Sequence, residues 1–166
     1  MSATFTSTYS RTHTAKYVSD KMRNVLKYLI SYYNLNPVAL LDAWTDWVDA
    51  GARELLERGD LEKIVIEFYK SGSADAAGRW DFPIRYDGNG VDEMWVDREF
   101  LEGSFAKTST PPAGCIYRVL LVPRAGAALP GNLSWTSFKS LGSLVRREAG
   151  TIVSTPDIMA SMAYYK

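Results

Sequence analysis

The chain has 166 residues, of which 46% are apolar and 13% aromatic, and its 19 basic side chains balance 19 acidic ones. That length predicts one domain, which can bury a core without disulfides or metals, and the apolar content excludes a disordered chain. A balanced charge lacks the basic excess of proteins that bind nucleic acid or anionic membranes, so we expect neither partner. The first residues show no signal peptide, which favours a cytoplasmic protein.

A single cysteine and a single histidine exclude most catalytic and metal chemistry. Cys115 cannot form an internal disulfide, and it begins an apolar stretch where a buried structural thiol is expected. His13 lies among Ser and Thr residues and cannot supply a zinc site with several imidazoles. No glycine-rich phosphate loop is present. We therefore predict no catalytic site, no cofactor and no metal site, although a site made of carboxylates alone stays open.

The chain is predicted to begin with a polar arm and an amphipathic helix. Residues 2–9 alternate small and hydroxylated residues around Phe5 and Tyr9, which favours a thin strand or an ordered arm. Apolar residues then recur at intervals of three and four from Ala15 to Tyr33. That spacing predicts one buried helix face.

A second helix and an antiparallel hairpin follow. Asn36-Pro37 is typical of a helix start, and Gly59 suits the left-handed position that ends a helix. Leu61–Lys70 and Trp80–Tyr86 then alternate apolar and polar residues, which predicts two paired strands.

The second half is predicted to be rich in strands. Asp87–Gly90 indicates a turn, Val91–Lys107 is ambiguous with roughly helical spacing, and the apolar run Cys115–Val122 predicts a buried strand. From Ser134 onward the chain shows only short strand signals, which lie around 135–138, 144–146, 151–153 and 159–165.

Element order and several short stretches together resemble a HORMA domain. The stretches are Leu56–Ile66 (LERGDLEKIVI), Gly78–Ile84 (GRWDFPI), Leu144–Arg147 (LVRR) and Met162–Lys166 (MAYYK), and the start, Phe5–Met22, is similar to the bacterial HORMA proteins of anti-phage CBASS operons. The resemblance spans about residues 2–166. It implies an α+β HORMA fold, with helices packed on an antiparallel sheet and a C-terminal β-rich safety belt. Residues 1–166 are then a single domain with an arm (2–13), a core (14–133) and the belt (134–166).

The resemblance implies a peptide-binding switch and not an enzyme. HORMA domains clamp a closure-motif peptide, which adds a strand to the sheet edge while the belt wraps over it. In bacteria the closed domain binds and activates a cGAS/DncV-like nucleotidyltransferase, and a hexameric AAA+ ATPase remodels it by pulling on the arm. The alternatives are a HORMA adaptor in another signalling or DNA-repair assembly, or a small nucleotide-binding enzyme.

Two sets of site residues follow from the resemblance. The peptide is expected between the Cys115–Val122 strand and the belt at about 141–165, with the contacts Ile116, Tyr117, Val119, Leu121, Trp135, Met162, Tyr164 and Tyr165. The ATPase is expected to engage Ser2, Thr4, Phe5, Tyr9 and His13. An alternative for the tail aromatics is that they only complete the core.

Overall fold

The computed structural model describes residues 2–86, 94–95, 98–108 and 110–166, with backbone alone for 2–10 and 94–95. Its helices are α1 (Ser2–Tyr32), α2 (Val38–Ala43), α3 (Asp49–Arg58) and α4 (Arg98–Phe105), and a π-helical turn (Trp44–Val48) joins α2 to α3. Its strands are β1 (Leu61–Lys70), β2 (Gly78–Arg85), β3 (Met94–Trp95), β4 (Cys115–Pro123), β5 (Arg146–Ser154) and β6 (Met159–Tyr165). The predicted turn Asp87–Gly90 lies outside the described residues.

The strands form one antiparallel sheet in the order β3-β5-β6-β2-β1-β4. The hairpin β1–β2 and the strand β4 were predicted and are confirmed. The C-terminal hairpin β5–β6 joins the sheet at β2, so that β6 is a central strand. β4 therefore lies at one edge, and the C-terminal hairpin lies on the other side of β1 and β2.

The core lies between the helices and one face of this sheet. Ile66 of β1 is paired with Trp80 of β2 and with Val119 of β4, and Trp80 is paired with Tyr164 of β6. Directly paired residues share a face, and all four belong to the core together with the α1 residues Met22, Leu26 and Ile30. The predicted α+β architecture is confirmed.

The N-terminal residues are helical, so the predicted thin strand is wrong. α1 begins at Ser2 and continues to Tyr32 without interruption. Helix propensities of common residues differ by only about 0.7 kcal/mol or less, and extending an existing helix is far easier than starting one. The well-patterned helix after Ala15 therefore extends into a stretch whose Thr and Tyr content alone favoured a strand.

The second helix begins and ends as predicted but contains an unpredicted π-helical turn. The Asn36 Oδ1 atom accepts the Val38 N–H at 2.9 Å, which caps the start, and Gly59 has a φ of +74° at the end. The turn Trp44–Val48 interrupts the α-helical pattern between them. Such turns rotate the following side chains relative to a regular helix and are frequent at functional sites.

The strand signals in the tail are confirmed at 151–153 and 159–165, but the signal at 135–138 is wrong. β5 contains residues 151–153 and β6 contains residues 159–165, whereas residues 135–138 are irregular. Two peptide groups in or next to this stretch bond to side chains: the Arg118 Nη2 atom donates to the Ser137 carbonyl, and the Lys139 N–H donates to Glu67. Bonds of this kind replace a strand ladder. The ambiguous segment Val91–Lys107 contains α4.

β6 supplies core residues on its helix-facing side. Met162 is 1% exposed and Tyr164 8% exposed, and the Tyr164 ring lies 5.3 Å from the Trp80 ring. Met159 is paired with Arg85, so it lies on the opposite face and is only partly buried. The side of β6 that carries Met162 and Tyr164 therefore packs as core.

We expect Met162→Ala to lower the free energy of unfolding by about 2–5 kcal/mol, because it leaves a cavity in the core. Met159→Ala is the matched control on the opposite face, where this side chain is only partly buried, and we expect a loss below about 1 kcal/mol. Urea denaturation followed by circular dichroism measures both. Equal losses would show that β6 does not anchor the core as described.

Candidate functional site

β4 offers an edge that no other described strand covers. Among the described residues, β1 is the only strand that pairs with it. Tyr117, Val119 and Leu121 lie opposite core residues of β1 and face the helices, whereas Ile116 and Arg118 face the other side of the sheet. An uncovered edge presents a row of backbone N–H and C=O groups that can pair with another extended chain.

The loop that joins β4 to β5, residues 124–145 and here called the connecting loop, starts against the helices. Arg58 of α3 donates through Nη2 to the Ala128 carbonyl at 2.8 Å. Asn132 donates through Nδ2 to the Trp47 carbonyl at 3.3 Å. These bonds attach the first half of the connecting loop to the helix layer.

The same loop then continues onto the opposite face of the sheet. Residues 136–140, here called the crossing segment, lie over the side of the sheet away from the helices. Arg118 donates through Nη2 to the Ser137 carbonyl at 2.5 Å, and the Lys139 N–H donates to Glu67 Oε2 at 2.7 Å. The connecting loop thus passes from the helix layer, around the edge of β4, to the other face.

A cavity of about 170 Å³ lies between the connecting loop and the edge of β4. Its lining is mainly apolar and includes Trp47, Val119, Leu121, Leu133, Trp135 and Phe138. Trp135 lines the cavity and is nevertheless 71% exposed. The site therefore combines a free strand edge, apolar walls and a large aromatic side chain that has little protein contact of its own.

Trp47 and Gly51 shape this cavity and were not predicted. Trp47 belongs to the π-helical turn, and its side chain lines the cavity. A Cβ atom at position 51 would lie 3.0 Å from Leu133 and 3.3 Å from Leu121, so glycine leaves the room that both side chains use. A glycine inside a helical pattern is a signal of close packing that could have indicated this position.

The predicted peptide contacts are divided between two parts of the sheet. Val119, Leu121 and Trp135 line the cavity. Ile116 lies toward the other end of β4 and is 44% exposed. Met162, Tyr164 and Tyr165 lie on β6, which β1 and β2 separate from β4. The belt residues beside β4 are therefore those of the connecting loop, and residues 146–165 instead complete the sheet at β2.

Tyr117 supports a helix start. Its hydroxyl donates to the Asn36 carbonyl at 2.6 Å and accepts the Leu40 N–H at 3.1 Å. The Leu40 N–H belongs to the first turn of α2, where backbone donors have no partner inside the helix. Burial raises the pKa of the Tyr117 hydroxyl, so it stays protonated and can keep both bonds.

We expect Tyr117→Phe to lower the free energy of unfolding by about 1–3 kcal/mol, because the Leu40 N–H loses its partner. Tyr32→Phe is the control, since Tyr32 is exposed at the end of α1, and its effect should stay within about 0.5 kcal/mol. Guanidinium denaturation measures the difference. A Tyr117→Phe protein as stable as the parent would contradict the capping role.

The face beneath the crossing segment carries buried charges. Asp81, 1% exposed, accepts hydrogen bonds from Arg79 at 2.7 Å, Lys63 at 3.2 Å and the Tyr165 hydroxyl at 3.1 Å. Burial alone lowers the pKa of Arg79, but the hydrogen bond and charge of Asp81 outweigh it and raise that pKa above its ordinary value. Burial and the charge of Asp81 raise the pKa of Tyr165. Asp81 thus forms ion pairs with two cations of the sheet, Arg79 and Lys63.

The residues predicted to engage an ATPase lie on α1. Ser2, Thr4, Phe5 and Tyr9 have helical backbone, and His13 is an exposed residue of the same helix. Close by, the Arg11 Nε atom donates to the Asp157 carboxylate at 2.5 Å, between β5 and β6. This ion pair attaches α1 at Arg11 to the connection between β5 and β6.

The described residues lack both metal-binding and membrane-spanning features. No group of three or more His, Cys, Asp and Glu side chains there could hold a metal ion. No described helix is long and apolar enough to cross a membrane.

Sequence and structure comparisons define the class of protein. The family model described as Bacterial HORMA domain 2 matches residues 3–166, so the chain belongs to the bacterial HORMA domain family. The comparison with curated proteins gives no match.

Three solved structures share the fold at low sequence identity. A chain of a mitotic checkpoint complex has a TM-score of 0.71 at 10% identity, over 92% of this chain and 97% of that chain. C. elegans HTP-2 bound to the HIM-3 closure motif has a TM-score of 0.65 at 13% identity, over 92% of this chain and 90% of that chain. A chain of the E. coli MS115-1 HORMA:CdnC:Trip13 complex has a TM-score of 0.61 at 11% identity, over 93% of this chain and 89% of that chain.

Proposed function

We propose that this domain clamps an extended closure-motif peptide between the edge of β4 and the connecting loop. The observation that carries this proposal is the path of the loop, which leaves the helix layer, rounds the β4 edge and attaches to the opposite face. A peptide paired with β4 would lie inside that path. Its release would then require the loop to open, because the loop is covalently continuous at both ends.

The lining of the cavity supports a peptide as the occupant. Backbone groups of β4 would supply the hydrogen bonds of an added strand, and alternate side chains of that strand would point to opposite faces. On the helix side they would meet Trp47 and Leu133, and on the other side Phe138. Apolar walls of this kind favour a peptide with apolar side chains at alternate positions.

The same proposal extends to a role in anti-phage signalling. One structural relative is a HORMA protein in complex with CdnC and Trip13, and another is bound to a closure motif. We infer that the closed, peptide-bound form of this chain binds and activates a cGAS/DncV-like nucleotidyltransferase in the cytoplasm. A hexameric AAA+ ATPase would reopen it by pulling on the start of α1, residues 2–13. The domain itself is then an adaptor and not an enzyme.

We expect Trp135→Ser to weaken peptide binding about thirtyfold, because a central aromatic contact is worth about 2 kcal/mol or more in a binding site. The unfolding free energy should change by less than about 0.5 kcal/mol, since this side chain is largely exposed. The probe is a peptide selected with this domain from a phage-displayed library of random peptides about ten residues long, which matches a strand. Calorimetry measures its affinity.

Val145→Ser is the matched control for this prediction. Val145 is 58% exposed on the same connecting loop, and it does not line the cavity. The selected peptide should bind the Val145→Ser variant as it binds the parent protein. If Trp135→Ser and the parent bind that peptide equally, or if no peptide is selected, the cavity is not a peptide site.

The signalling role predicts a stimulated partner enzyme. A cGAS/DncV-like nucleotidyltransferase from the same genome should make its cyclic oligonucleotide faster when this protein and its peptide are present. The Trp135→Ser variant should stimulate weakly at peptide concentrations near the parent's Kd, because less of it carries peptide. Chromatography of the nucleotide products measures the rate. Equal rates with and without the parent protein would contradict the activator role while leaving peptide binding intact.

A further inference from the structure

The buried carboxylate of Glu67 joins the crossing segment to the sheet. Glu67 is paired with Arg118 on β4 and with Arg79 on β2, so the three side chains form a row across the face opposite the helices. Glu67 is 0% exposed. Because the helices pack on the other face, the cover over this row comes from the crossing segment, whose Phe138 ring lies 4.3 Å from the Arg79 guanidinium carbon.

Each oxygen of Glu67 has a different partner. Oε1 accepts from Arg118 Nε at 2.6 Å, and Oε2 accepts the backbone N–H of Lys139 at 2.7 Å. Arg118 also donates through Nη2 to the Ser137 carbonyl. One carboxylate and one guanidinium thus hold the peptide groups on both sides of Phe138, which fixes the crossing segment at its centre.

A second buried carboxylate on the same face serves a different purpose. Asp81 bonds to Arg79 of its own strand, to Lys63 of β1 and to Tyr165 of β6. All of these partners belong to the sheet. Asp81 therefore holds sheet residues, including the two cations near the Phe138 ring, whereas Glu67 bonds directly to the backbone of the crossing segment. This difference provides a control of nearly equal burial and the same chemical class.

We propose that Glu67 is a positioning residue that controls the opening of the connecting loop. In the closed loop its charge is matched by Arg118 and by the N–H of Lys139. When the crossing segment lifts away, water can hydrate the Glu67 carboxylate and the Arg118 guanidinium instead. The loop can therefore open without exposing a large apolar surface at this point. Peptide lifetime would follow from this control, a consequence that rests on the proposed function.

Hydrogen–deuterium exchange of the full chain without peptide tests the proposal directly. In Glu67→Gln the carboxylate charge is lost, so we expect amides of the crossing segment, Lys139 above all, to exchange about tenfold faster than in the parent. Amides in the middle of β1 and β4 should keep their relative protection. In Asp81→Asn both partners of Glu67 are unchanged, so the Lys139 N–H should keep the parent's exchange relative to the sheet. NMR resolves the individual amides.

Peptide kinetics give a second readout that a loss of overall stability would not produce. For the library-selected peptide, Glu67→Gln should raise koff about tenfold and change kon less, because the loop opens more often around a bound strand. Asp81→Asn should raise koff less than Glu67→Gln does, because the Lys139 N–H keeps its bond to Glu67. If Glu67→Gln does not fold, Arg118→Lys replaces it, since lysine keeps the charge but cannot hold Glu67 and the Ser137 carbonyl together as arginine does.

Two outcomes would overturn the proposal. One is an unchanged exchange rate at Lys139 in Glu67→Gln, and the other is the same pattern of faster exchange in Glu67→Gln and Asp81→Asn. A failure of the proposed function is distinguishable from both. In that case no peptide binds the parent protein, whereas the exchange rates still show whether Glu67 holds the crossing segment.

Discussion

The unpaired backbone edge of β4 is the constraint on which the rest of the structure depends. A sheet edge with free N–H and C=O groups invites pairing with any extended chain, and proteins usually cover or disrupt it. In this domain the cover is a loop that leaves room for a cavity beside the edge. The loop therefore shields the edge from pairing with other proteins, while the cavity would leave space for a strand that enters beneath the loop.

The position of the C-terminal hairpin creates that loop. β5 and β6 join the sheet at β2, so the chain must travel from β4 across four strand intervals of about 4.8 Å, or roughly 19 Å, to reach β5. Residues 124–145 could extend to about 70 Å at 3.3 Å per residue. The excess length allows the detour along the helices and around the edge. A shorter connection could cross the sheet but could not enclose β4.

Sequence patterns predict the helices and strands of this fold better than they predict which strands pair. Periodicity identifies the helix from Ala15 and the strands from Leu61 and Cys115, because each buries a regular face. The same patterns do not show which strand β6 pairs with, so they do not indicate that Met162 and Tyr164 lie in the core. Glu67 shows the limit most clearly. A charged residue in an alternating strand suggests a solvated position, and only a loop some seventy residues later in the chain buries it.

Phe138 connects the cavity to the charged row beneath the crossing segment. Its ring lines the cavity and also lies 4.3 Å from the Arg79 guanidinium carbon and 5.8 Å from the Lys63 ammonium. A strand that packs against this ring would favour the ring position that covers both cations. In that same position the Ser137 carbonyl bonds to Arg118 and the Lys139 N–H bonds to Glu67. Occupation of the groove and closure of the loop would then stabilise each other, since an effect of one on the other must be reciprocal. The Phe138 ring would contact the bound peptide, while Glu67 and Arg118 would hold the backbone on both sides of that ring.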